Sequence, residues 1–238
     1  MKKIIQLLKR KTGTTLVETI VTLLLISIMM AMAAAALSSA AKVFVREQRM
    51  QYAQSILDTT LSEIRGLTKE ANGYIKIYDQ AGMTSQTIAD MSGNNSGNIL
   101  EFINDEGYAV LLSADGCDAT KLLIGNQESG QSDSVESGQL LTRYYFYNNG
   151  TYQYSMDGIP TARAVTTVFG KGFYMGNFLD VVWTFPDGVK NGDTVTQISV
   201  TATLYRDKEK TNALATDTEI LQFRHALVRK DAVTAVAE

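Results

Sequence analysis

Residues 11–41 read KTGTTLVETIVTLLLISIMMAMAAAALSSAA, and this stretch decides the fold of the 238-residue chain. Its last 23 residues, from Thr19 to Ala41, contain no Asp, Glu, Lys or Arg. A helix of about 20 apolar residues is long enough to span a bilayer. We therefore predict an apolar transmembrane helix over residues 14–41, whose second half is mostly Ala and Ser and only weakly hydrophobic.

The charges around the apolar run predict its orientation. Residues 1–13 hold five basic residues and no acidic residue. Because cytoplasmic flanks carry an excess of Lys and Arg, the N-terminus is expected in the cytoplasm and the rest of the chain outside. Residues 14–238 hold the other 17 basic residues and all 25 acidic residues, a net charge of −8. A body this acidic is not expected to bind nucleic acid directly.

Composition leaves three interpretations of the apolar run open. An ordinary signal peptide would be cut at an A-x-A-like site, which residues 33–41 contain, and a plain anchor would stay uncut. The third interpretation starts from Glu18, because a carboxylate costs roughly 2.5–3.5 kcal/mol at the centre of a membrane helix and less near an end. Cleavage after Gly13 would give Thr14 a new α-amino group. Thr14 and Glu18 share a helix face, so the amine and the carboxylate could neutralise each other within or between chains.

The residues around Glu18 carry a resemblance to a known family. The sequence KTGTTLVE, residues 11–18, resembles the prepilin processing motif of type IV pilins and pseudopilins. That motif has a basic leader, a small residue before the cut, a Thr-Leu pair and a Glu at the fifth mature position. The residues that match it are Gly13, Thr15, Leu16 and Glu18. Thr14 stands where the family usually has Phe, and the mid-helix proline often found in the family does not occur here.

The resemblance implies a route of processing and assembly. Residues 1–13 would be a leader that a membrane prepilin peptidase removes between Gly13 and Thr14, and the new N-terminus is usually methylated. The single-pass membrane subunit, held in membrane lipid, would then join other pilin-like subunits in an extracellular or cell-envelope filament, driven by an assembly platform and an ATPase. Glu18 would set the register in that filament. Motility, secretion and DNA-uptake systems share this device, so the particular system stays open, as does the choice between major and minor subunit.

Residues 42–71 are predicted to continue the helix as an amphipathic half. Apolar residues recur there at spacings of three, four and seven, as expected for one helix face. They are Val43, Met50, Ala53, Leu57, Leu61 and Ile64. Gly66 or the pair Asn72-Gly73 is expected to end the helix. We predict that this half lies on a sheet, and a two-stranded coiled coil is the alternative.

Residues 72–238 change to the two-residue period of β-strands and are predicted to form an exported β-rich globular domain. In residues 198–205 apolar and polar side chains alternate, as in a half-buried strand. That strand is expected to span 195–206, and further strands are expected at 99–103, 108–112, 178–185 and 218–228, about seven to nine in all. The predicted fold class is therefore α+β, with a long N-terminal helix packed on a mainly antiparallel β-sheet.

Residues 143–154 predict a hairpin that carries tyrosines on one face. Asn149-Gly150 suits a type I′ turn. That turn sets Tyr147 opposite Tyr152 and Tyr145 opposite Tyr154. Two roles are open for these tyrosines: an aromatic surface for a sugar, a surface or a partner subunit, and ordinary packing within the sheet.

The sequence shows no recognisable catalytic constellation. A single cysteine, Cys117, and a single histidine, His225, exclude an intrachain disulfide and a multi-His or Cys-based metal site. His225 shares a strand face with apolar residues and is expected at the edge of the core, and Cys117 lies in a turn-like stretch. We expect a structural protein rather than an enzyme, with no cofactor and no metal. The alternative is a secreted or membrane-anchored β-rich binding protein with an ordinary signal sequence.

Overall fold

A computed structural model describes residues 16–79, 92–114, 138–154, 156 and 160–231 of the chain. Gly13, Thr14 and Cys117, for which the sequence predicts roles or positions, lie outside the described residues. The chain divides into two compact units, Met1–Arg49 and Met50–Glu238. Each unit is described below by itself.

One long helix, α1, runs from Leu16 to Thr68. No proline interrupts it, and its single glycine, Gly66, lies inside the last turns rather than at the end. The Thr68 hydroxyl donates to the Ile64 carbonyl at 2.8 Å, and the helix stops there, slightly short of the predicted limit at residue 71. The prediction of a helix through both halves is confirmed for the described residues.

The second half of α1 buries one face. The buried residues of the helix are Ala53, Ile56, Leu57, Thr60, Leu61, Ile64 and Thr68. They pack on apolar residues of the sheet in one core, which confirms that this half lies on a sheet. The predicted face is wrong at its start, because Val43 is 58% exposed and Met50 is only half-buried. Val43 belongs to the first compact unit, and the described residues of that unit include no strand that could cover it.

The second unit contains eleven strands among the residues that the structure describes. They are β1 (Ala71–Tyr78), β2 (Ser96–Gly97), β3 (Ile99–Asn104), β4 (Ala109–Ser113), β5 (Leu141–Tyr145), β6 (Tyr147–Asn148), β7 (Thr151–Tyr152), β8 (Ala162–Thr167), β9 (Phe178–Thr184), β10 (Thr194–Tyr205) and β11 (Ala213–Arg229). Nine of them form one sheet in the order β2-β9-β10-β11-β1-β3-β4-β5-β8, and β6 and β7 form a separate hairpin. All neighbours in the sheet are antiparallel except β1 and β11, which run parallel. The predicted α+β class with a mainly antiparallel sheet is confirmed.

The strongest alternating pattern in the sequence corresponds to β10, a strand with one fully buried face. Ile198, Val200, Ala202 and Leu204 are all fully buried on β10. Their side of the sheet faces the core that the helix residues share. The predicted hairpin of β3 and β4 and the predicted strands β9, β10 and β11 are confirmed as antiparallel neighbours. β11 is longer than predicted, because it begins at Ala213 instead of residue 218.

Strand β1 is not among the predicted strands, because the sequence offers Asn72-Gly73 as one of two candidate ends of the helix. Instead the pair lies inside β1 at a bulge, where the pairing with β3 shifts between Asn72 and Ile75. Gly73 has φ +78° there, a conformation that residues with a Cβ rarely adopt. A turn dipeptide is therefore an ambiguous stop signal, since a bulge needs the same backbone freedom.

His225 does not lie at the edge of the core. The pairing of β10 with β11 slips between Val195↔Leu227 and Gln197↔Gln222, so that the alternation of the strand is broken around residues 223–226. Leu221 and Leu227 are buried on either side, but His225 is exposed. The prediction from strict alternation is wrong for His225 because the register shift interrupts the pairing at this position, although Phe223 still packs against the core.

Candidate functional site

The first half of α1 presents an apolar surface that no described residue of its own unit covers. Every residue from Leu16 to Arg49 is exposed. The large apolar side chains among them are Leu16, Val17, Ile20, Val21, Leu23, Leu24, Leu25, Ile26, Ile28, Met29, Met30, Met32, Leu37, Val43, Phe44 and Val45. We call this half of α1 the apolar segment.

The number of exposed apolar side chains in the apolar segment indicates that another apolar surface covers it. Burial of one such side chain is worth about 1.5–3 kcal/mol, so sixteen of them amount to tens of kcal/mol. Exposed patches of this size mark a membrane or protein contact. Among the described residues, α1 is the one helix that is long and apolar enough to cross a membrane by length and composition.

Two hydroxyl side chains of the apolar segment hydrogen-bond to carbonyls of their own helix. The Thr22 hydroxyl donates to the Thr19 carbonyl at 2.9 Å, and the Ser27 hydroxyl donates to the Leu23 carbonyl at 2.8 Å. Hydroxyls bonded to their own helix carry no unmet hydrogen bond into lipid. Small residues follow, namely Ala31, Ala33, Ala34, Ala35, Ala36, Ala40 and Ala41, all exposed. Such residues let two helix backbones approach closely.

Glu18 lies in the first turn of the described helix and is exposed. It is the only charged residue between Leu16 and Ala41. A carboxylate at this position is costly in lipid or in a helical bundle unless a cation or hydrogen-bond donor meets it. The predicted cleavage residues, Gly13 and Thr14, lie outside the described part of the chain.

The predicted tyrosine hairpin is confirmed at its turn. Asn149 and Gly150 have φ of 51° and 89°, as a type I′ turn requires, and Tyr147 lies opposite Tyr152. The next predicted pair is wrong. Tyr145 pairs with Ala109 and Ala162, and Tyr154 pairs with Pro160.

The two arms of the hairpin separate at Phe146, because this residue hydrogen-bonds to two different segments. Its N–H donates to the Thr161 carbonyl at 3.1 Å, while its carbonyl still accepts from the Gln153 N–H at 2.9 Å. Phe146 therefore bonds both the hairpin and the segment before β8. The two-residue strands β6 and β7 end at this point.

The tyrosines pack inside the protein rather than form an exposed surface. Tyr145 is 1% exposed and Tyr152 is 3% exposed, and both belong to a second apolar cluster on the sheet. Tyr147 and Tyr154 are half-buried against that cluster. The Tyr152 ring meets the rings of Tyr145 and Tyr147 edge-on, at centroid distances of 5.8 and 5.4 Å. The interpretation as an aromatic surface is wrong for Tyr145 and Tyr152, and the alternative of sheet packing describes them.

A buried polar group lies beside this cluster. Tyr74 donates to the Glu101 carboxylate at 2.5 Å, and Lys76 lies opposite Glu101 in the pairing of β1 with β3. Glu101, Lys76 and Arg143 are at most 1% exposed. No local pattern predicts this group, because Glu101 alternates with the apolar residues Leu100 and Phe102, as an outward-facing side chain usually does.

The surroundings keep the phenols of this region protonated. Burial, and then the nearby Glu101 carboxylate, raise the pKa of Tyr74 well above its ordinary value. The same two causes raise the pKa of Tyr152. Protonated phenols act as hydrogen-bond donors and not as bases near neutral pH. The Tyr74 phenol accordingly stays the donor in its buried hydrogen bond to Glu101.

The described residues do not assemble into a metal site. No three His, Cys, Asp or Glu side chains come together in the described parts of the chain. No family model, no curated protein and no solved structure matches this chain. The apolar segment with Glu18 is thus the feature that points most directly to a function.

Proposed function

We propose that the chain is a structural, pilin-like subunit, a minor pilin or pseudopilin of a type IV pilus or type II secretion-like filament. In this proposal a prepilin peptidase removes residues 1–13. Residues 14–41, which include most of the apolar segment, then anchor the subunit in the cell membrane and later lie in the filament core. The second unit is displayed outside the membrane.

The observation that carries the proposal is the exposed apolar segment attached to a folded β-rich unit. The second unit has its own core and does not need the apolar segment for it. The apolar segment needs a cover, and lipid before assembly and neighbouring copies afterwards are two apolar environments that serve equally well. A head-to-tail contact that does not close produces a filament.

Glu18 supports the proposal beyond a plain membrane anchor. An anchor gains nothing from a carboxylate, which costs roughly 2.5–3.5 kcal/mol at mid-membrane and less near a helix end, where Glu18 lies. A new α-amino group at Thr14 would supply a cation at a spacing of four residues on the helix. The KTGTTLVE motif around Glu18 adds the resemblance to the prepilin cleavage site.

The position of the mature N-terminus tests the proposal directly. Intact mass and N-terminal sequencing of the protein isolated from its native cells should show a start at Thr14. A start near Lys42 would instead identify a secreted protein with an ordinary signal peptide, and a start at Met1 would identify an uncut anchor. Either result overturns the proposal.

Two variants separate cleavage from assembly. A bulky residue at Gly13 should block cleavage, seen as a lost mobility shift on gels. Glu18→Ala should be cleaved but enter filaments poorly, whereas Glu63→Ala, which removes an exposed carboxylate from the other half of α1, should enter normally. Normal incorporation of Glu18→Ala would remove Glu18 from the mechanism.

A further inference from the structure

We propose that Asn72-Gly73 is a site of spontaneous deamidation, at which the Asn72 side-chain amide becomes aspartate or isoaspartate without an enzyme. Three Asn-Gly pairs lie in the described residues: 72–73, 149–150 and 191–192. They share the same dipeptide sequence, so differences between them report the folded structure. The geometry singles out the first.

The Asn72 side chain and the next backbone nitrogen are held together. The Gly73 N–H donates to Asn72 Oδ1 at 2.8 Å. Because a carbonyl bond is about 1.2 Å long, the Gly73 nitrogen lies at most about 4 Å from Asn72 Cγ. Reacting atoms about 3–3.5 Å apart are in near-attack geometry, which this contact approaches. Both residues are exposed, so water and base can reach them.

The bulge in β1 explains why this nitrogen is available. The pairing of β1 with β3 breaks between Asn72 and Ile75, and the Gly73 N–H points to the preceding side chain. A Cβ at Gly73 would meet nothing closer than the Ile103 Cβ at 3.9 Å. Without a Cβ, the nitrogen is open to rotation toward Asn72 Cγ.

The reaction balances without a cofactor. The Gly73 nitrogen gives its proton to a base from solvent and forms a bond to Asn72 Cγ. The bond from Cγ to Nδ2 breaks, and Nδ2 leaves with a proton as ammonia, which gives a five-membered succinimide ring. Water then adds to either ring carbonyl and opens the ring. One product is aspartate, and the other is isoaspartate, in which the backbone runs through the former side chain.

Asn191-Gly192 is the internal control, because hydrogen bonds to other residues hold both the Asn191 side-chain amide and the Gly192 nitrogen. Asn191 Oδ1 accepts from the Asp231 N–H at 2.9 Å. The Gly192 N–H donates to the Arg229 carbonyl at 2.9 Å. These two hydrogen bonds must open before the nitrogen can attack. Asn149-Gly150 is exposed but fixed in a type I′ turn, so its rate should fall between the other two.

The test uses the full chain in detergent, incubated in mildly alkaline buffer and digested with trypsin in ¹⁸O-labelled water. Mass spectrometry then separates the three sites, because tryptic cleavage places them in peptides 70–76, 144–163 and 191–206. The label distinguishes deamidation during incubation from deamidation during digestion. In the folded chain, Asn72 should deamidate at least about tenfold faster than Asn191. In the denatured chain the two rates should converge.

A second measurement tests whether isoaspartate forms at Asn72. Labelling by an isoaspartyl methyltransferase should detect isoaspartate in the incubated folded chain, and Asn72→Gln should remove most of that label. Equal rates at Asn72 and Asn191 in the folded chain would overturn the proposal. So would a methyltransferase label that persists unchanged in Asn72→Gln.

Discussion

The two halves of α1 share one backbone conformation but differ in what surrounds them. From Leu16 to Arg49 apolar residues occur on all sides and are exposed, whereas from Met50 to Thr68 they form one buried face. The second half receives its cover from the sheet of its own unit. The first half has to receive its cover from outside. A helix that is apolar all round therefore indicates an external partner, and a one-sided helix indicates an internal one.

The largest expected effect comes from the same substitution in the two halves. Leu57 is 1% exposed and Leu24 is 57% exposed. Leu57→Ala should lower the free energy of unfolding of the second unit by about 2–5 kcal/mol, because it leaves a cavity in the core. Leu24→Ala should leave that free energy unchanged. Denaturant titration of the full chain in detergent, followed by Trp183 fluorescence, measures both. Equal losses would mean that the apolar segment contributes to the core of the second unit.

The next largest effect is expected at high pH, which should destabilise the second unit but leave the first half of α1 helical. Burial raises the pKa of Tyr174 to about 12, against an ordinary value of 10. The protonated phenol is thus favoured in the folded state, and its stabilisation is complete below pH 10 and lost as pH rises from 10 to 12. The loss should amount to about 2–3 kcal/mol for this side chain. Thr19–Ala41 contains no titratable side chain, so its helical circular dichroism in detergent should persist.

Tyr174→Phe is the control for the alkaline effect. Phe cannot ionise, so the variant should lose less stability between pH 10 and 12 than the parent. At neutral pH it should be less stable, because the Leu140 N–H, which donates to the Tyr174 hydroxyl at 3.1 Å, loses its acceptor. An identical alkaline slope in both proteins would exclude Tyr174 as a source of the effect.

The smallest expected effect on stability comes from Gly66, near the end of the half of α1 that packs on the sheet. Gly66 lies inside α1, and a Cβ there would meet no atom within 4 Å. Gly66→Ala should raise the free energy of unfolding by about 0.5–1 kcal/mol, because Ala loses less backbone entropy in a helix. Gly97→Ala should act in the opposite direction, because its Cβ would clash with the Tyr78 carbonyl. Thermal unfolding of both variants checks the two signs, and a destabilised Gly66→Ala would contradict the open space seen at that position.

The sequence predicted best where one local pattern dominates. Alternation of apolar and polar residues predicted β10, and Asn149-Gly150 predicted the turn between β6 and β7. Both signals act over a few residues. The apolar segment was evident from the absence of charge alone.

The sequence predicted poorly where distant strands decide the outcome. The parallel pairing of β1 with β11 joins Tyr74 to Val228, and no local pattern encodes it. Bulges caused the errors at His225 and Asn72-Gly73, because they break the two-residue period on which the prediction rests. The burial of Tyr145 and Glu101 followed from the neighbouring strands and not from their own segments.

The position of β11 has a consequence for how the protein is made. This last strand lies between β10 and β1, so it joins the group β2-β9-β10 to the group β1-β3-β4-β5-β8. Until Ala213–Arg229 joins the sheet, both groups keep an unpaired edge, the kind of surface that aggregates. The two groups can join into one sheet only after β11, which follows both of them in the chain, has been synthesised, and a chain truncated before β11 would offer two open edges to proteases.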